Sequence, residues 1–136
     1  MEVLLSFNYD DRHLAEALRA TLFMLEPNLD VMEVILSPAC YGAVWFEKNI
    51  AEGVDEADRL LLLVGPSGVS KWQEIECKFA FERQRKESNF FVIPVLAAEG
   101  GRPVTEIFSG LNWIEMPVVT DRRAAGWLVK AIKDQK

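Results

Sequence analysis

The chain has 136 residues, half of them hydrophobic and 26% charged, which suits one domain with a buried core and no covalent staples. Its 15 Lys and Arg against 21 Asp and Glu leave a formal charge of −6, and no basic stripe of the kind a nucleic-acid binder shows is visible. Cys40, Cys77 and a lone His13 supply neither a zinc set nor a disulfide framework, so a reducing, cytoplasmic compartment is expected.

Met1-Glu2-Val3 lacks the basic start of a signal peptide, and no apolar run approaches the roughly 20 residues of a membrane helix. Val3 to Phe7 reads as the first strand. Asp11 then stands as the N-cap of a helix whose Leu14, Leu18, Leu22 and Leu25 make one apolar stripe. Pro27-Asn28 stops that helix. Leu29 to Ile35 contains a second strand, followed by the turn-rich Ser37 to Gly42 and a helix over about Val44 to Ala57. Leu60 to Val64 is apolar throughout, as a strand buried on both faces of a parallel sheet must be. Gly65-Pro66-Ser67-Gly68 breaks the run before a helix from Lys71 to about Glu87. Its basic cluster, Arg83 to Lys86, is interrupted by Gln84 and reads as a solvated face. Phe90 to Leu96 is the fourth strand, with Pro94 expected near its end, where a lost N–H costs least. Asn112 to Glu115 is a short fifth strand. A helix over Arg122 to Lys133 closes the chain, with Ala124, Trp127, Leu128, Ala131 and Ile132 at helical spacing and Trp127, like Trp113, expected in or near the core.

Repeated strand–helix alternation predicts right-handed crossovers and an α/β, flavodoxin-like fold: a five-stranded parallel sheet in the order 2-1-3-4-5, flanked by helices. Residues 1–136 form a single domain, complete or excised from a longer multidomain protein. Such sheets bind ligands beyond the strand ends where connections diverge, here between strands one and three. Phe7-Asn8-Tyr9 and Gly65-Pro66-Ser67 line that crevice, and the helix after Ser70 begins beside it.

Ser70-Lys71-Trp72-Gln73 fits a capping box. At about 100° per residue, Trp72, Ile75, Phe79 and Ala80 fall on one apolar side, with Glu76 among them and Glu74 roughly opposite. A carboxylate on an apolar face is costly unless it is paired or borders a cavity. Spacing leaves both readings open: Glu76 opening onto the crevice, or Glu76 at the stripe's edge paired with Arg83.

At these residues the chain resembles a TIR domain, and the bacterial type most. The resemblance rests on pieces in register from Val3 to Trp113. These are Leu4 to Asp11, Gly42-Ala43-Val44-Trp45, Asp58 to Pro66, Phe91 to Val95, and above all Ser70-x-Trp72-x-x-x-Glu76. The chain departs from the pattern in carrying Gln73 where many relatives have Cys and Phe7 where Tyr is commoner. The resemblance implies self-association with other TIR domains and, in many members, cleavage of NAD⁺. Carried over by position, Glu76 would be the catalytic glutamate and Trp72 a pocket wall. Ser6, Phe7, Asn8 and Trp45 would lie near the substrate, with Ser67 beside them on the crevice. NAD⁺ would be a substrate; no metal or separate cofactor is expected, and neither nucleic acid nor membrane is an expected partner. The nicotinamide of NAD⁺ is already a cationic leaving group, so one fixed carboxylate facing an oxocarbenium-like ribose can suffice. The product would be ADP-ribose or its cyclic form. The alternative is a non-catalytic TIR scaffold for homotypic interaction. A phospho-receiver is disfavoured because Val64-Gly65-Pro66 offers no phosphoacceptor, and neither a Gly-x-Gly-x-x-Gly turn nor a P-loop is present.

Overall fold

The computed structural model describes residues 1–33, 43–97 and 106–134; the side chains of residues 43–47 and 106 are outside that description. The sheet has five strands, all parallel, in the order 2-1-3-4-5. They are β1 (Glu2–Ser6), β2 (Asp30–Met32), β3 (Arg59–Val64), β4 (Phe91–Ala97) and β5 (Ile114–Met116). The helices are α1 (Arg12–Leu25), α2 (Ala43–Glu56), α3 (Lys71–Lys86) and α4 (Arg122–Lys133). The expected flavodoxin-like order is therefore the observed one.

Strand parity divides the core. Val3 and Leu5 of β1, Leu61 and Leu63 of β3, and Ile93 and Val95 of β4 pack under α1 and α4. Leu4, Leu60, Leu62, Val64 and Val92 face α2 and α3 on the other side. Side chains alternate faces along a strand, so the residue after Leu5 must point to the α2–α3 side. That residue is Ser6, and it is buried.

Several boundaries move. Strand one stops at Ser6, one residue before Phe7, and strand two is Asp30–Met32. The part of the second-strand segment beyond Glu33, and the turn-rich Ser37 to Gly42, lie outside the described residues. The fifth strand begins at Ile114, not at Asn112. Pro94 lies mid-strand opposite Leu62, where β5 is not yet present: β5 pairs only from Val95 onward. At Pro94 the sheet has a neighbour on one side alone, so the missing donor leaves the ladder intact. Trp127 is 62% exposed, against the expectation of a core residue, because α4 turns Ala125, Leu128 and Ile132 inward. Arg123 stacks over its ring. Trp113 is half-buried against the α2–α3 cluster.

Asp11 also departs from expectation. It occupies the N-cap position of α1, yet its carboxylate makes no cap bond. It instead accepts from the Ser67 backbone N–H at 3.2 Å and the Ser67 hydroxyl at 2.9 Å, and it is buried. The turn after β1 is thereby latched to the turn after β3. The latch leaves no room at Gly65, where a Cβ would stand 2.8 Å from the Asp11 carboxylate and 3.0 Å from Leu14. Gly65→Ala is accordingly expected to cost about 1–3 kcal/mol in urea unfolding. The same change in an Asp11→Ala background should cost clearly less, since one neighbour that must yield is gone.

A buried carboxyl at the strand ends

Helix α3 begins where β1 and β3 end. Its capping box is complete: the Ser70 hydroxyl accepts from the Gln73 N–H at 3.2 Å, and Gln73 Oε1 accepts from the Ser70 N–H at 3.0 Å. The other end of the same amide does something the capping pattern does not foretell. Gln73 Nε2 donates to the carbonyls of Leu63 at 2.9 Å and Ser6 at 3.3 Å, tying the helix to the ends of β3 and β1. Gln73 is wholly buried. A helix turn later, Glu76 is 1% exposed and accepts from the Ser6 hydroxyl at 2.9 Å. The Trp72 side chain donates a second hydrogen bond to it. The buried face of α3 is thus Gln73, Glu76, Cys77 and Ala80, and Trp72, Ile75 and Phe79 are half-buried at its margins. The sequence-based stripe was right in including Glu76 and off by about a residue in phase.

Arg83 is not the partner of Glu76. It donates to the carbonyls of Val54 and Ala57 and pairs with Glu87, fastening α2 to α3 at the far end. With no cation beside it among the described residues, burial pushes the Glu76 carboxyl up to about 8; the Ser6 and Trp72 hydrogen bonds pull it down, and the charge of Glu33 pushes it up.

Above Glu76 lies a cavity of about 720 Å³, within the range that holds small ligands. Trp72, Ser70 and Glu76 form its α3 side. Phe7, Asn8, Tyr9 and Asp10 follow β1, Glu33 follows β2, and Arg12, Glu16 and Arg19 line it from α1. Of the residues expected near the substrate, Phe7, Asn8 and Trp72 therefore border one cavity with Glu76. Ser6 lies beneath it, holding the carboxyl. Ser67 does not line it and is exposed, its hydroxyl given to Asp11. Asn8 doubles as a brace: its amide donates to the Ser67 and Gly68 carbonyls and accepts from the Asp10 N–H. Trp45 falls in the first turn of α2, and its side chain is outside the described residues. Sequence reasoning missed Gln73 as a strand-end clamp, and also Glu33, Arg12 and Arg19. The arginine spacing, two turns apart on the polar side of α1, was the available signal; nothing local marks Glu33. His13 is exposed and Cys77 is a buried packing residue. Among the described residues no group of three His, Cys, Asp or Glu gathers to hold a metal, and no helix is long and apolar enough to cross a membrane.

A family model described as TIR domain matches residues 3–132. No curated protein matches the sequence. Similar solved structures include a Clostridium botulinum CMP N-glycosidase, at 17% identity and TM-score 0.59 over 95% of this chain and 99% of that one. A prokaryotic SEFIR domain is similar at 10% identity and TM-score 0.57, over 96% of each chain. A conserved protein of Enterococcus faecalis V583 matches at 14% and TM-score 0.54, over 78% of this chain and 68% of that one.

A carboxyl raised by burial destabilises its folded protein as it ionises. In the unfolded chain it titrates near its ordinary value of 4.5, in the folded one near 8. Between those values the folded state binds the extra proton, so stability is greatest on the acid side and falls as pH rises through 8. The melting temperature of the wild type should drop across pH 5 to 8 by roughly 5 °C or more, and Glu76→Gln should flatten this slope.

Proposed function

The chain belongs to the TIR-domain family, and from that premise we propose that it is an N-glycosidase that cleaves the nicotinamide–ribose bond of NAD⁺ with Glu76 as its catalytic carboxylate. The observation that carries this reading is a buried carboxyl held by two hydrogen bonds and bordering a cavity of suitable size. The structural pairing with Arg83 that the sequence left open is absent, since Arg83 is spent elsewhere. The fold's likeness to a protein described as a CMP N-glycosidase adds support, because that enzyme breaks the same class of bond.

The reaction follows from the charges. The C1′–N bond breaks with its electron pair going to the pyridinium nitrogen, so nicotinamide leaves neutral and needs no general acid. Positive charge moves onto the ribose, where the fixed Glu76 carboxylate opposes it in a low-dielectric setting. Water then adds at C1′ and releases a proton, giving ADP-ribose; capture by the adenine of the same molecule gives the cyclic product. Trp72 and Phe7 offer aromatic faces to a nicotinamide or adenine ring. In the empty site at neutral pH the carboxyl is largely protonated, and the cationic substrate favours its ionisation on binding.

Assembly with other TIR domains belongs to the same reading. Phe23 and Met24 on α1 and Trp127 on α4 are each 62% exposed on helices that pack side by side, a surface suited to contact with another protein. The same surface favours the scaffold reading if no turnover accompanies assembly.

Nicotinamide release from NAD⁺, followed at high protein concentration or with a crowding agent, tests the proposal. Wild type should turn over, Glu76→Gln should lose roughly 100-fold or more, and Glu74→Gln should stay near wild type. Equal turnover by wild type and Glu76→Gln would overturn the site, and an assembled but inert wild type would favour the scaffold. The pH profile is a second check: kcat/KM, which reports the free enzyme, should rise towards pH 8. The kcat profile should rise at lower pH, because bound substrate brings a cation to the carboxyl.

A further inference from the structure

The cavity has a second chemical feature on its α1 side. Arg12 and Arg19 are seven residues apart on α1, two turns, so both face the same side roughly 10 Å apart along the axis. Both line the cavity and both are exposed. Their hydrogen bonds go to backbone carbonyls: Arg12 Nη1 to Tyr9 O at 3.3 Å, Arg19 Nε to Val31 O at 3.0 Å with Nη2 joining it. The Arg12 guanidinium also stacks on the Tyr9 ring at 4.5 Å. These contacts fix the direction of each side chain and leave donors unspent, and they do nothing to its charge.

In a chain of net charge −6, cations are expected to find carboxylates. Glu16 lies between them, four residues from Arg12 and three from Arg19, the spacings at which helical ion pairs form. Yet neither guanidinium pairs with Glu16, or with any other carboxylate among the described residues. The two arms do not pair with Glu16 and line the cavity that Glu76 floors, which Asp10 and Glu33 also border. Fixed, charged, planar donors at the rim of an otherwise acidic pocket fit one ligand class best, a phosphate ester or diphosphate.

We propose that Arg12 and Arg19 of α1 form the phosphate subsite of the Glu76 site, so that these two residues hold the phosphates of a nucleotide or dinucleotide substrate and set its preference over the free nucleoside. The inference rests on the reading of Glu76 as an N-glycosidase carboxylate for the word substrate, and on the α1 geometry for the phosphate. Glu16 sets its strength from the opposite direction, as a standing negative charge that any phosphate must approach.

Calorimetric titration of the full chain with ADP, adenosine and inorganic pyrophosphate separates these contributions. ADP should bind at least roughly tenfold more tightly than adenosine, as expected for charge-assisted hydrogen bonds. The gap should shrink as salt is raised. Arg12→Gln and Arg19→Gln should each weaken ADP several-fold and leave adenosine unchanged, whereas Glu16→Gln should tighten ADP. Arg19 also braces β2, so a misfolded Arg19 variant leaves the decision to Arg12→Gln, whose contacts are confined to Tyr9, and to Glu16→Gln, a gain of binding that misfolding cannot imitate. ADP and adenosine binding alike, or ADP binding unmoved by Arg12→Gln, would overturn the subsite. Pyrophosphate as tight as ADP would make it a free-anion site and overturn the nucleotide assignment. The titration reads binding alone, so a wild type that fails to cleave NAD⁺ strikes the Glu76 reading and leaves the phosphate subsite standing.

Discussion

The arrangement depends on a single glutamine amide. Near the carboxyl ends of parallel strands some backbone carbonyls need a hydrogen-bond donor from outside the sheet, and burial makes an unmet one costly. Gln73 answers two of them with one NH₂ group, while its oxygen closes the N-terminus of α3. Helix start and strand ends are thereby one unit. Because Gln73 fixes both the position and the rotation of α3, the residue three places on has no freedom about where it points. That residue is Glu76, and it points at Ser6. In this chain Gln73 is the piece that joins the start of α3 to the ends of β1 and β3.

Much of this was legible from the amino-acid sequence, for physical reasons that can be named. An all-apolar Leu60 to Val64 admits only a strand covered on both faces. Alternation of strands and helices then left one topology, with the crevice at β1 and β3. Ser70 and Gln73 announced the start of α3, and helical geometry placed Glu76 on its inner side. What escaped were features decided by partners distant in the chain. Asp11 has the chemistry of a cap and was read as one, but Ser67 lies 56 residues away and offers two donors at once. Trp127 looked like core because apolar spacing in α4 allows two phases, and packing selected the one through Ala125 and Leu128. Pro94 escaped because its tolerance depends on how far β5 extends. Arg12 and Arg19 look like ordinary solvated charges until β1, β2 and α3 close a cavity around them.

The site also carries a conflict between folding and chemistry. On the proposed reading, nearly complete burial would make the Glu76 carboxyl a strong electrostatic partner for a cationic ribose, and the same burial opposes its ionisation. Two hydrogen-bond donors reduce that opposition without cancelling it, and Glu33 works against them. A protein can tolerate such a group only if the rest of the domain is well bound together. Here the opposite end supplies some of that: Arg59 is buried among the carbonyls of Asp58, Asn89, Ile132 and Asp134, and Arg83 joins α2 to α3. The tightly satisfied cations sit at the end remote from the cavity, and the unneutralised ones sit at its rim.

The two-residue repeat of β1 has a consequence for how such a chain can drift over generations. Leu5 and Ser6 face opposite layers, one under α1 and α4, the other under α3. Losing or gaining one residue between Val3 and Ser6 would exchange them, sending a leucine to Glu76 and a hydroxyl into the oily layer beneath α1. Connections away from the Asp11–Ser67 latch can change length without exchanging the faces of a strand, and individual strand residues can be swapped for others of like size. The first strand can do neither by halves: it must keep its reading frame with the sheet or forfeit site and core in the same genetic event.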